Sequence, residues 1–208
     1  MFLIMLFACK KYELAWWKSI ILSFALLGFG LLGTRIMAFI ESGRFSNRSF
    51  FGAVFFTPLF MIPVGCILKI KPLDTLDLCA PTECVMLALM KVNCYISDCC
   101  IGRVMYVTKY GKEVRFPSQF SECIAALLIM FFLLILILRI KQRGFLYFLY
   151  MIIYGVVRFI LNFLRDTKPF IWILPAGNFW ALISIILGVI ILFILKRKNS
   201  GIQDKYQD

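Results

Sequence analysis

Apolar residues in this chain are gathered into long runs separated by short polar and basic breaks. The runs Ile20 to Ile40, Phe50 to Leu68, Ile124 to Leu138, Phe145 to Leu164 and Phe179 to Leu195 each approach the ~20 residues that an α-helix needs to cross a bilayer core. A sixth stretch, Leu78 to Ile101, has the length but carries Glu83, Lys91, Asn93 and Asp98. Such a helix is predicted to face protein or a water-filled cavity rather than lipid. None of the runs alternates polar and apolar positions as a barrel strand must, so the pattern predicts an all-α, polytopic helical membrane protein of about six transmembrane helices. Ahead of them, Met1 to Cys9 ends in a small residue and a cysteine as a lipoprotein signal does, but it has no basic leading region and is read as a short N-terminal helix stub. Residues 1–198 are predicted to form a single integral membrane domain, followed by a polar cytoplasmic tail over 199–208. No internal repeat is visible, which weighs against a small transporter or channel, the reading that intramembrane charges alone would suggest.

Composition supports lipid as the solvent, because 62% of the 208 residues are hydrophobic, against roughly 45–50% in soluble domains. The formal charge of +12 does not predict nucleic-acid binding, since the basic residues sit between apolar spans and not along one soluble face. With the N-terminus inside, Lys10, Lys11, Lys18, Lys69, Lys71, Arg139, Lys141, Arg143, Lys196, Arg197, Lys198 and Lys205 fall on the cytoplasmic side. Arg44, Arg48, Arg103, Lys109, Lys112, Arg115, Arg165 and Lys168 then fall outside, as the positive-inside rule prefers. The absence of histidine removes His-ligated zinc, Ser-His-Asp triads and imidazole bases.

Three cations lie within the predicted spans, Arg35, Lys91 and Arg158, and at ~1.5 Å per helical residue all three fall in the outer half of the membrane. A charged side chain at the membrane centre costs roughly 2.5–3.5 kcal/mol on insertion scales, so three at similar depth call for anionic partners. One reading has them snorkel to the outer headgroups or pair with Glu83, Asp98 and Glu122. The other makes them a pocket for a phospholipid phosphate, with Arg158 foremost. Tyr147, Tyr150, Tyr154, Arg158, Asn162 and Arg165 follow one helical stripe, and its guanidinium can hold phosphate oxygens bidentately. Interfacial anchoring accounts equally well for Tyr147 and Tyr150. Cysteines crowd Cys79 to Cys100, but adjacent Cys99 and Cys100 are not expected to face one ion together, so small apolar packing is the preferred reading and no metal is predicted. Pro58 and Pro63 are expected to kink their span.

Several segments resemble those of the prolipoprotein diacylglyceryl transferase family. Tyr154-Gly155-Val156-Val157-Arg158-Phe159-Ile160-Leu161-Asn162-Phe163-Leu164-Arg165 is similar to its Y-G-x-x-R-F-x-x-E-x-x-R helix, and Phe116 to Glu122 to its H-P-[ST]-Q-L-Y-E loop. Gly33-Thr34-Arg35-Ile36 resembles a G-G-R-I-G run, and Ser49 to Ala53 stands in the place of S-F-H-G-G. Asp77 to Pro81 and Lys91 to Arg103 resemble the signature region in its cysteine-rich form. Phe51 stands where the family has histidine, Lys91 where it has arginine, Ser121 where it has tyrosine and Asn162 where it has glutamate. Most of the family's first membrane helix is expected to be missing before Cys9.

The resemblance implies a multi-pass protein of the bacterial cytoplasmic (inner) membrane with its active site toward the outer face. The implied reaction moves the diacylglyceryl group of phosphatidylglycerol to the lipobox cysteine of a preprolipoprotein signal peptide, forming a thioether and releasing glycerol phosphate. Partners would be these two substrates and membrane lipids, with no cofactor. Arg158, Lys91 and Tyr154 are the expected catalytic residues, and Arg35, Arg103, Ser118, Gln119, Glu122, Asn162 and Arg165 the expected substrate-binding ones. Tyr154, Glu122, water and the substrate's own phosphate all remain open as the thiol's base. The departures at Phe51, Lys91 and Asn162 motivate the alternative of a family member that binds phospholipid or signal peptide without turnover.

Overall fold

The computed structural model describes residues 1–43, 49–140, 142–166, 169–171 and 174–204, without side chains at 169–171 and 199–204. Of the orientation count, Arg44, Arg48, Lys141, Lys168 and Lys205 lie outside the described residues. The helices run α1 (Phe2–Lys10), α2 (Trp16–Ser42), α3 (Phe51–Ile67), α4 (Pro72–Ile96), α5 (Ser118–Arg139), α6 (Phe145–Phe163) and α7 (Ala176–Asp204). The protein is an all-α polytopic membrane protein. The helices α2, α5, α6 and, over Ala176–Lys198, α7 are long and apolar enough to cross a membrane, and α3 is a shorter apolar helix. Large apolar side chains such as Phe24, Leu128, Phe131 and Phe193 are exposed on their outer surfaces, as lipid-facing positions require. Backbone helix continues past Lys198 to Asp204, into the segment read as a polar tail.

The polar-laced helix is the central one. Nearly every residue of α4 from Asp74 to Ala88 is buried, and it packs against α1, α2, α3, α5 and α6, so its acidic and hydroxyl groups face protein as predicted. α1 packs on α2 and α4 and buries Met5, Ala8 and Cys9.

Three local devices fix the bundle. Asp77 of α4 accepts hydrogen bonds from the Gly144 N–H at 2.7 Å and the Tyr147 N–H at 3.1 Å, so the carboxylate capping the positive end of α6 comes from a neighbouring helix. Pro58 has no N–H to give the carbonyl of Val54, and the buried Tyr147 hydroxyl donates to that oxygen instead, at 2.5 Å. Tyr147 and Tyr150 are fully buried, which overturns interfacial anchoring for both. Where α2 crosses α3, a Cβ on Gly52 would lie 2.0 Å from the Gly33 carbonyl oxygen, so only glycine allows these backbones to approach so closely.

The two ends of the bundle differ. At one, Lys11 Nζ donates to the Ile140 carbonyl at 2.5 Å, Lys18 Nζ to that of Leu68 at 2.8 Å, and Arg143 pairs with Asp74 at 3.3 Å. Burial holds the Lys11 ammonium below its ordinary pKa, opposed by the nearby Asp77 and Asp74. At the other end, two small antiparallel hairpins that the apolar pattern did not reveal join the helices: β1 (Val104–Val107) with β2 (Glu113–Arg115), and β3 (Pro169–Ile171) with β4 (Leu174–Pro175).

Candidate functional site

At the hairpin end the α4–α5 connection is stitched to the end of α6. Arg103 N–H donates to the Leu164 carbonyl at 3.0 Å, Asp166 N–H to that of Ile101 at 3.3 Å, and Gly102 bridges to Arg165. This stitching brings Arg165 over a cavity of about 690 Å³ that opens between α2, α3, α4, α6 and the start of α7. Lys91, Tyr154, Arg158, Asn162 and Arg165 line it, together with Glu41, Phe50, Phe51 and the thiols of Cys94, Cys99 and Cys100.

One carboxylate organises the cations from behind the cavity. Glu122, in the second turn of α5 and 4% exposed, meets Lys91 Nζ at 2.6 Å, contacts Arg158 Nη1, and lies 3.8 Å from Arg165 Nη1. Arg158 of α6, Arg165 just beyond its end and Lys91 of α4 are thereby drawn to a single point in a low-dielectric setting. Glu41, the other acid on the wall, accepts from Ser49 Oγ at 2.6 Å. Three cations stand against these two carboxylates, so the cavity as a whole suits anionic groups.

Tyr154 is buried between Phe50 and Phe51, with ring centroids at 5.5 Å and 5.3 Å, and its hydroxyl has no hydrogen-bond partner among the described residues. Arg158 Nε is likewise unpartnered. Both residues line the cavity, and each keeps an unused donor buried in its wall. Asn162 donates to Asn178 Oδ1, and Asn178 Nδ2 to the Phe159 carbonyl at 3.4 Å, which ties the end of α6 to α7.

Some expected site residues lie elsewhere. Arg35 does not join Lys91 and Arg158: it is exposed on the outward stripe of α2 shared by Phe24, Leu32 and Phe39, opposite the buried Gly30, Gly33, Thr34 and Met37, and pairs with no described acid. Arg103 is exposed and donates from Nε to the Arg165 carbonyl at 3.1 Å, so it steadies the connection without reaching the cavity. Ser118 and Gln119 are the opening of α5 and not a loop; Ser118 Oγ donates to the Cys100 carbonyl at 2.5 Å and Gln119 Nε2 to that of Cys99 at 2.7 Å. Both clamp the cysteine loop and leave the cavity wall to others. Of the acids expected as partners, Asp98 is exposed, and Glu83 is buried beside Thr57 and Tyr150, so Glu122 alone of the three meets the cations. Glu41 falls one residue beyond the apolar run ending at Ile40, so hydropathy alone does not reveal it; a carboxylate closing a membrane helix is the signal that does.

Fold and cavity together define an integral membrane protein with a half-open, cation-lined chamber at one end of its helices. The chain belongs to the prolipoprotein diacylglyceryl transferase family, whose profile matches residues 1–194. It is 31% identical over 136 residues to the phosphatidylglycerol–prolipoprotein diacylglyceryl transferase of Clostridium tetani, covering 59% of this chain and 53% of that protein. The like-named protein of Ehrlichia ruminantium is 32% identical over 150 residues, 64% of this chain and 57% of its own length. That of Francisella tularensis subsp. holarctica is 28% identical over 180 residues, 78% and 65% of the two chains. The chain spans about half the length of the curated relatives it matches first.

Proposed function

We propose that this protein transfers the diacylglyceryl group of phosphatidylglycerol to the cysteine thiol of a preprolipoprotein lipobox, in the bacterial inner membrane with the cavity toward the outer face. The observation that carries this reading is the convergence of Lys91, Arg158 and Arg165 on one wall of a cavity beside the unpartnered Tyr154 hydroxyl.

In the reaction a thiolate attacks the glycerol carbon, an S–C bond forms, and the C–O bond to phosphorus breaks with its electron pair leaving on the phosphate. Negative charge on the leaving oxygens grows as that bond lengthens. Cations fixed in advance by Glu122 therefore stabilise the transition state more than the bound lipid. Arg158, buried yet with Nε free, is the residue for the leaving phosphate, with Lys91 and Arg165 beside it and Tyr154 donating to a phosphate oxygen.

The test is lipidation of a reporter lipoprotein in cells depleted of their own transferase. The wild-type chain is expected to restore the mass increase of one diacylglyceryl group, and Arg158→Ala to fail despite normal membrane insertion. An unmodified reporter with well-inserted wild-type protein defeats the proposal.

A further inference from the structure

Cys94, Cys99 and Cys100 place their three sulfurs within 4.8 Å of one another on the wall of the same cavity as Lys91 and Arg158. The sequence-based expectation that neighbouring Cys99 and Cys100 cannot face one point is not met. Cys100 takes a left-handed backbone, φ 62°, which turns its side chain back toward the end of α4. The Cys99 N–H closes the turn on the Cys94 carbonyl at 3.0 Å, and Ser118 and Gln119 hold the carbonyls of Cys100 and Cys99. Unlike the core thiols Cys9, Cys79 and Cys84, none of these three is buried, so apolar packing does not account for them.

We propose that these three thiolates bind one zinc-class divalent cation whose open fourth position takes the acceptor cysteine, an inference that rests on the transferase reading. Tetrahedral zinc with sulfur at ~2.3 Å sets ligand sulfurs ~3.8 Å apart, so the triangle closes with shifts of roughly 1 Å. Three protein ligands and one open position are the pattern of catalytic zinc, whereas structural sites are closed by four. A disulfide would use two of the sulfurs and leave the third without a role. Charge fits too: three thiolates and a dication total −1, a neighbour that Lys91 and Arg165 favour where a bare dication would be repelled.

The site would also supply what the residues otherwise lack. The 208 residues contain no histidine, and a thiol coordinated to zinc loses its proton outright. That proton passes to water at the cavity mouth, the metal-held thiolate attacks the glycerol carbon, and the departing phosphate takes the C–O electron pair. The sum is thiol plus phosphatidylglycerol giving thioether plus glycerol phosphate, with no oxidant or reductant.

The experiment uses the full chain in detergent, reduced, stripped of metal and then titrated with Co²⁺ alone. Wild type and Cys66→Ser are expected to take one Co²⁺ per chain with intense thiolate-to-cobalt charge-transfer absorption, and Cys94→Ser and the Cys99→Ser/Cys100→Ser double variant to lose it. A lipobox peptide bearing cysteine is expected to alter the visible cobalt bands, and the same peptide with serine to leave them unchanged. Chelation is expected to lower thioether formation at least 100-fold, with Zn²⁺ restoring it. Uptake no greater than by the triple-serine variant, or undiminished transfer by metal-free protein, overturns the proposal; the second result leaves the transferase reading standing. A cobalt response to the peptide thiol with no transfer under any metal does the converse, supporting thiol capture at this site while defeating the transferase reading.

Discussion

Glu122 Oε2 lies 2.6 Å from Lys91 Nζ, with the two side chains only 4% and 7% exposed. The same carboxylate faces Arg158 and Arg165, so its loss strands buried cations. Removing one partner from such a buried cluster costs about 3–5 kcal/mol. Glu122→Ala is therefore expected to lower the unfolding temperature in detergent sharply, and Glu122→Gln by less. Combining Lys91→Met with Glu122→Gln should recover part of the loss, because the pair is coupled. Thermal unfolding of wild type, Lys91→Met, Glu122→Gln and the double variant measures this; additive losses would mean that the carboxylate does not hold Lys91 in place.

Arg158 and Lys91 differ in what a substitution removes. Deleting a fixed donor aimed at developing charge costs roughly 10²–10³ in rate. Arg158→Ala is expected to show that loss in a thioether-formation assay. Arg158→Lys keeps the charge but not the planar fork and is expected to fall between. Lys91→Arg, which supplies the fork, should retain activity. Equal rates for Arg158→Ala and wild type would remove Arg158 from the reacting phosphate.

Arg35 is expected to be dispensable for the chemistry. It is exposed on the outer stripe of α2, and substitutions at such positions usually change stability by no more than about 0.5 kcal/mol. Arg35→Gln should leave transfer within roughly twofold of wild type. A larger loss in the lipidation assay would show that Arg35 reaches the lipid.

The contrast between Arg35 and Lys91 shows what could be read from the residues. Both are lone cations in apolar runs, and hydropathy assigned them one depth. Facing is set by neighbours. Lys91 belongs to a helix whose polar residues demand a protein environment, while Arg35 is separated from the buried face of α2 by a single position. Spans were legible because bilayer thickness dictates their length. The Glu122 hub was not, since it joins residues whose proximity depends on how the α4–α5 connection folds against α6; the hairpins lie in the short connections between spans, where hydropathy carries no signal, and the cysteine triangle depends on the local turn after α4. The left-handed turn at Cys100 has no sequence signal, because non-glycine residues rarely adopt it.

Tyr147 and Pro58 offer a test that the fold is built as described. Pro58 deprives the Val54 carbonyl of its helical donor, and Tyr147 Oη supplies one at 2.5 Å. Tyr147→Phe leaves that buried oxygen without a partner, expected to cost about 1–3 kcal/mol. Pro58→Ala restores an N–H in register with Val54, so its effect should depend on residue 147. With phenylalanine there, the alanine substitution is expected to stabilise the protein; with tyrosine, the gain should shrink or reverse because the two donors compete. The interaction free energy from the four unfolding midpoints decides the matter. A value near zero would mean that the Tyr147 hydroxyl does not serve the proline-freed carbonyl, whereas coupling of at least 0.5 kcal/mol is what contacting residues show.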